Sequence, residues 1–178
     1  MQQIQITQIN HNQIHQLQEV GKKNFYETFA EVNSEENMKT YLEKEFAIDY
    51  LQTQLNNTDS NFYFATFNDN VIGYLKINFG SSQTELKDSK ALEIERIYVL
   101  KEFHGLKVGQ LLYEKALQIA KEKKVEYIWL GVWEENKKAI QFYTKNGFIV
   151  FNKHLFKLGN DEQTDLMMKL QVKSKYTS

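Results

Sequence analysis

One stretch, Ala91 to Leu112, limits what this chain can fold into more than any other: ALEIERIYVLKEFHGLKVGQLL. Ala91 to Val99 is dense in β-branched, aliphatic and aromatic residues, which suits a strand, while Val108, Leu111, Leu112, Ala116, Ile119 and Ala120 recur at helical spacing. The short glycine-bearing link between them therefore lies at the N-terminus of a helix. Such a junction gathers unpaired backbone N–H groups and the positive end of a helix dipole into one small volume, an arrangement suited to a phosphate or other anion. Gly105 and Gly109 let the backbone come close to such a ligand. Neither GxxxxGK[ST], the nucleoside-triphosphate loop, nor GxGxxG, the dinucleotide loop, is present.

The chain on either side supplies more strands and helices. Met1 to Asn10 alternates Ile4, Ile6 and Ile9 with polar residues and reads as an edge strand. Ile14, Leu17, Gly21, Phe25, Phe29 and Val32 line one face of a helix over 12–32. A second helix starts at the N-cap Ser34 with Glu35 and Glu36 in its first turn and carries Met38, Tyr41, Leu42 and Phe46 inward; a third, from about Asp49, holds Leu51 and Leu55. The runs 61–67 and 71–79 flank Asn68-Asp69-Asn70 and predict a β-hairpin. Residues 125–133 predict a strand with a mid-strand Gly131, a residue that often marks a bulge or close backbone approach. A short helix over 136–145 is expected to end at Gly147. Two final strands, 148–158 and 164–172, are expected to form a hairpin across the polar Gly159 to Gln163.

Composition excludes several classes. The 178 residues suffice for one well-buried domain, and no Pro/Ser-rich linker divides them, so one domain over 1–178 with a flexible last few residues is expected. No run of 18 apolar residues and no charged-then-apolar leader occurs, so a cytoplasmic protein without a membrane partner is expected. Without cysteine there is no disulfide, no thiolate metal site and no Cys-based acyl-enzyme. A net charge of −1 argues against a nucleic-acid partner. That charge is unevenly spread: residues 1–100 hold 8 basic against 14 acidic side chains, and residues 101–178 hold 14 against 9. Solvated faces of different sign explain this, and so does a C-terminal half that meets an anionic cofactor and an N-terminal half that meets a cationic acceptor. The crowded Glu27, Glu31, Glu35 and Glu36 read either as a solvated face or as part of an amine-binding wall.

The loop resembles the pyrophosphate loop of the GCN5-related N-acetyltransferases (GNAT), Gln/Arg-x-x-Gly-x-Gly/Ala after a strand ending aliphatic–aromatic–Val. Here it reads His104-x-x-Lys107-x-Gly109 after Ile97-Tyr98-Val99. His104 and Lys107 depart from the pattern, Lys107 standing where the first glycine belongs and able to offer its N–H if its φ stays negative. Lys101 replaces a common proline. A second resemblance is carried by Asn136-x-x-Ala139-x-x-Phe142-Tyr143-x-Lys145-x-Gly147-Phe148, in whose family counterpart the Asn contacts the cofactor, the small residue packs beneath it and the Tyr is the general acid. The resemblance implies an α/β (α+β) fold with a single mixed, mostly antiparallel sheet of about seven strands flanked by helices, its central parallel strands splayed. It implies acetyl-CoA as cosubstrate, no metal, and a cofactor site of Ile97, Tyr98, Val99, His104, Gly105, Leu106, Lys107, Val108, Gly109, Gln110 and Asn136.

A narrower resemblance, to the spermidine/spermine acetyltransferases of the bacterial Pai type, rests on Glu95-Arg96-Ile97-Tyr98-Val99 and on TFAEVNSEEN at 28–37. It implies a polyamine acceptor and Glu95 as general base, with Glu93 the rival carboxylate on the same face of a regular strand. The chemistry asks for such parts. Presenting a primary amine of pKa ~10.4 in neutral form at pH 7 costs about 3.4 pH units, roughly 4.6 kcal/mol. A carboxylate can hold the ammonium and then take its proton. A strand N–H near Tyr98 or Val99 suits the developing oxyanion, and a phenol, Tyr143, can protonate a thiolate of pKa ~8.5. Acetylation of a peptide α-amine or lysine, and a cofactor-binding regulator without catalysis, are the alternatives; a homodimer is compatible with either.

Overall fold

The computed structural model describes residues 3–173, and the expected flexible tail lies outside them. Seven strands form one sheet in the order β1-β2-β3-β4-β5-β7-β6. They are β1 (Gln5–Gln8), β2 (Ser60–Phe67), β3 (Asn70–Phe79), β4 (Ala91–Val99), β5 (Tyr127–Trp133), β6 (Ile149–Leu158) and β7 (Asp161–Gln171). Every pairing is antiparallel except β4 with β5. The helices are α1 (Ile14–Phe29), α2 (Glu35–Glu45), α3 (Ile48–Asn56), α4 (Val108–Glu122) and α5 (Lys137–Lys145). Among the described residues no helix is long and apolar enough to cross a membrane.

Each face of the sheet is covered by a different set of helices. α4, which carries the chain between the two parallel strands, buries Leu112, Ala116 and Ala120 with Leu92, Ile94 and Ile128. On the other face α1 to α3 bury Leu17, Phe25, Phe46 and Leu51 with Phe62, Phe64 and Tyr74. Phe46 joins these layers: a Cβ on Gly21 of α1 would overlap its ring, so the glycine is what lets α1 and the end of α2 approach. Burial of such a ring contributes about 2–3 kcal/mol.

Two features of the sheet position the site. β4 and β5 pair only from Ala91↔Tyr127 to Ile94↔Leu130, so residues 95–99 and 131–133 diverge into an open cleft. β4 is also not the regular strand expected. Lys76 opposes Arg96 while Ile77 opposes Ile94, so Glu95 is an extra residue, a β-bulge. Bulges bend a strand and re-aim side chains, and they recur beside active sites.

Three local expectations are corrected. α1 ends at Phe29, a 3₁₀ turn covers Ala30–Val32, and Val32 is exposed. β7 begins at Asp161, because Gly159 at φ +60 turns the chain tightly enough that the polar segment pairs with β6. Lys107 takes φ +60 and ψ 22, the left-handed region, so the negative φ on which its offered N–H was made conditional is not found. It occupies the conformation that a glycine adopts without strain, at a cost of about 1–2 kcal/mol for a side-chain-bearing residue.

Candidate active site

A single cavity of about 860 Å³ follows the cleft from the start of α4 to the space beneath α1 and α2. At the α4 end the N–H groups of Val108, Gly109 and Gln110 open the helix and have no acceptor upstream, as geometry requires of a first turn. His104 fixes the loop, its Nε2–H donating to the Val99 carbonyl at 2.9 Å. A Cβ on Gly109 would rest at 3.9 Å from Val99 and 4.0 Å from Phe142, so the protein itself leaves room there and a larger side chain would fill the cavity. Lys107, Lys138 and Lys145 add positive charge to the wall, and none forms an ion pair among the described residues. These donors fit the pyrophosphate of coenzyme A. Ile97, Tyr98, Val99, His104, Gly105, Lys107, Val108, Gly109, Gln110 and Asn136 all line the cavity; Leu106 does not, and its side chain is exposed.

Asn136 caps α5, its Oδ1 accepting from the Ala139 N–H at 3.2 Å. The helix ends in a Schellman motif: the Phe148 N–H bonds the Tyr143 carbonyl at 3.0 Å and the Gly147 N–H bonds that of Thr144 at 3.0 Å, with Gly147 left-handed at φ +96. That motif pins the backbone of Tyr143, and Phe142 and Phe148 box its ring at centroid distances of 5.4 and 5.6 Å. Tyr143 is buried yet lines the cavity, and its hydroxyl has no hydrogen-bond partner among the described residues. Burial pushes its phenol well above the ordinary tyrosine range, so it stays protonated. The N–H of Leu100 bonds the Ile72 carbonyl in β3 at 2.9 Å. By strand alternation the N–H of Tyr98 also faces β3, and that of Val99 faces the cleft.

The bulge turns both Glu95 and Arg96 toward the α1–α3 face. Glu95 Oε2 pairs with the Lys76 ammonium and accepts from Asn78 Nδ2 at 2.7 Å, leaving Oε1 unengaged on the cavity wall. Burial raises its pKa, but the Lys76 and Arg96 charges and those hydrogen bonds outweigh it and hold the carboxyl below the usual glutamate value. Glu93 is spent elsewhere. It accepts from Asn78 Nδ2 at 3.0 Å, from the Thr84 N–H at 2.9 Å and from the Thr84 hydroxyl, pinning the β3–β4 loop, and it does not line the cavity.

Beyond Glu95 the wall is aromatic: Phe25, Phe29, Tyr41, Trp133 and Phe156, with Arg96 and Asp165 the nearby charges. None of Glu27, Glu31, Glu35 and Glu36 lines it, so the acidic-wall reading is corrected; Glu27 instead accepts from the Lys101 N–H at 2.9 Å. The sequence reading missed Lys76, Asp165 and this aromatic rim. A lysine inside the apolar run Tyr74-Leu75-Lys76-Ile77 was the available signal, since a buried ammonium needs a counter-charge.

Comparison with known proteins points to one family. The profile of the Acetyltransferase (GNAT) family matches residues 23–148. An uncharacterized N-acetyltransferase of Lactobacillus delbrueckii subsp. lactis is 37% identical over 166 residues, 93% of this chain and 96% of that one. The spermidine N(1)-acetyltransferase of Thermoplasma acidophilum is 26% identical over 151 residues, 83% of this chain and 89% of that one. Among solved structures, the PaiA N-acetyltransferase of Thermoplasma acidophilum in complex with coenzyme A superposes with a TM-score of 0.78 at 24% identity, over 95% of this chain and 99% of that one.

Proposed function

This chain belongs to the GNAT family and is an acetyl-CoA-dependent N-acetyltransferase; from that premise we propose that it acetylates a small primary amine by direct attack, with Glu95 as base and Tyr143 as acid. One observation carries the reading: the same cavity is lined by the unsatisfied N–H groups of α4, by a carboxylate with one free oxygen and by an unpartnered phenol. Acetyl-CoA supplies a thioester carbonyl. The α4 N–H groups and the neighbouring lysines hold its diphosphate, and the Val99 N–H is placed to stabilise negative charge on the carbonyl oxygen. Glu95 Oε1 holds the acceptor ammonium, takes its proton and frees the lone pair. The Tyr143 hydroxyl gives a proton to the departing sulfur. The regulator reading is not favoured, because both Glu95 Oε1 and the Tyr143 hydroxyl are left free to act.

For the acceptor, kinship with the Thermoplasma spermidine enzyme supports a polyamine. The aromatic rim suits a cationic body through its ring faces. Multiply charged amines feel the field of the acidic N-terminal half over about one Debye length, ~8 Å at physiological salt. The apparent kcat/KM for spermidine is therefore expected to fall steeply with added salt and that for a monoamine to change much less; equal dependence would overturn the polyamine reading. A second reading, an amine on a body that also carries an acidic group, is favoured by the Arg96 guanidinium, which lines the cavity with no ion-pair partner among the described residues.

A further inference from the structure

Arg96 is a buried charge with no ion-pair partner among the described residues. Its side chain is 7% exposed, yet it lines the cavity. No carboxylate lies within ion-pair distance among the described residues, and the buried Nη1 has only the Tyr74 hydroxyl beside it to bond. Its surroundings are aromatic. The guanidinium lies over the Phe46 ring at 4.7 Å, with Tyr41, Tyr74 and Tyr98 close enough to share its field. The neighbouring carboxylate, Glu95, is committed to Lys76, so the Lys76, Glu95 and Arg96 set holds two cations and one anion. A guanidinium removed from water with no anion paired to it is costly, by several kcal/mol for an ion in a protein interior, and one phenol oxygen and one ring face repay only part of it.

We infer that Arg96 is a carboxylate subsite and that the acceptor is an amino acid, its amine on Glu95 Oε1 and its carboxylate on the Arg96 fork. The bulge supplies the geometry. Glu95 and Arg96 are consecutive, their Cα atoms about 3.8 Å apart, and both face the α1–α3 side, where alternation in a regular strand would send them to opposite faces. The cavity thus presents one anionic and one cationic group from adjacent positions, matching a zwitterion whose own charges are a few bonds apart. A guanidinium accepts a carboxylate through two parallel hydrogen bonds, which adds orientation to affinity. A methylene or ring body then packs on Phe25, Phe29 and Tyr41. Such an acceptor is the second reading given above carried through, and it competes with the polyamine reading, since an ammonium placed against Arg96 is repelled.

This inference rests on reading the α1–α2 half of the cavity as the acceptor side. Matched pairs test it: lysine against cadaverine and ornithine against putrescine, which differ only by the carboxylate. Calorimetric titration of the coenzyme A-loaded protein should show lysine and ornithine binding at least tenfold tighter than their decarboxylated partners, and acetyl-CoA turnover should rank them in the same order by kcat/KM. Arg96→Gln, and Arg96→Met if Arg96→Gln fails to fold, should abolish the difference within each pair, chiefly through KM. Equal binding within the wild-type pairs, or a preference for the diamines, overturns the subsite, as does a variant that weakens both members of a pair equally. A retained carboxylate preference in binding with no acetylation of any amine would uphold the subsite and overturn the proposed chemistry instead.

Discussion

Glu95→Gln tests the proposed base, and the structure shows why it must be paired with a change at Lys76. The carboxylate is the partner of a lysine whose side chain is 6% exposed, while its own is 20% exposed. Breaking a buried pair costs 3–5 kcal/mol, because the remaining charge is stranded; the partial exposure of Glu95 puts the expected loss at the lower end, about 3 kcal/mol. For a chain of this size each kcal/mol moves Tm by about 2–4 °C, so Tm should fall by about 6–12 °C. In Lys76→Met/Glu95→Gln both charges are gone and the methionine keeps the lysine stem against Phe62, over which the ammonium lies at 5.5 Å. The double variant should recover to within about 1 kcal/mol of wild type, about 2 kcal/mol above Glu95→Gln alone, although Arg96 also loses a nearby anion. Because the folded pKa of Glu95 is depressed, its stabilisation is fully present above the ordinary glutamate value and is lost as pH falls through the folded value. The acid limb of the wild-type stability curve should therefore flatten in the double variant. Activity must separate from stability. With Glu95 as base, kcat/KM at pH 7 should fall by roughly 10²- to 10⁴-fold in the single and in the restabilised double variant alike. The residual rate should rise with pH as free amine accumulates in solution. Stopped kinetics are not required; steady-state thiol release and thermal melts across pH suffice. A double variant that regains both Tm and kcat/KM would refute Glu95 as base, and a double variant less than about 0.5 kcal/mol more stable than Glu95→Gln would refute the buried pair.

Two further outcomes follow from the cofactor half of the site. Tyr143→Phe should keep the fold and acetyl-CoA affinity, since the hydroxyl bonds nothing in the described structure, while kcat falls by roughly 10²- to 10⁴-fold; unchanged turnover in a chemistry-limited assay would move the acid elsewhere. Gly109→Val, which the protein accommodates sterically at its Cβ, should weaken acetyl-CoA binding tenfold or more, about 1.4 kcal/mol, and a wild-type titration would refute the cofactor placement. Lys107→Gly should raise Tm by a few degrees by relieving the left-handed residue, and an unchanged or lower Tm would show that the lysine bears no such strain.

What the sequence determined by itself is local. The period of apolar residues set α4 and the strands, since burial of one face decides both, and the glycine-bearing link between β4 and α4 placed the cofactor loop because a helix start always leaves N–H groups free. The Asn136 cap and the Gly147 turn were legible for the same reason: their hydrogen bonds close within a few residues. Tertiary structure decided what depends on distant partners. Which of Glu93 and Glu95 reaches the cavity follows from the register of β3 against β4, whose bulge at Glu95 no local pattern announces. Lys76 and Asn78 came to these carboxylates only through that pairing. Arg96 found itself over Phe46 because α2 packs through Gly21 of α1, joining residues far apart in the chain. A side chain's neighbours along the chain fix its conformation, but its charge environment, and hence its chemistry, is fixed by whatever the fold packs against it.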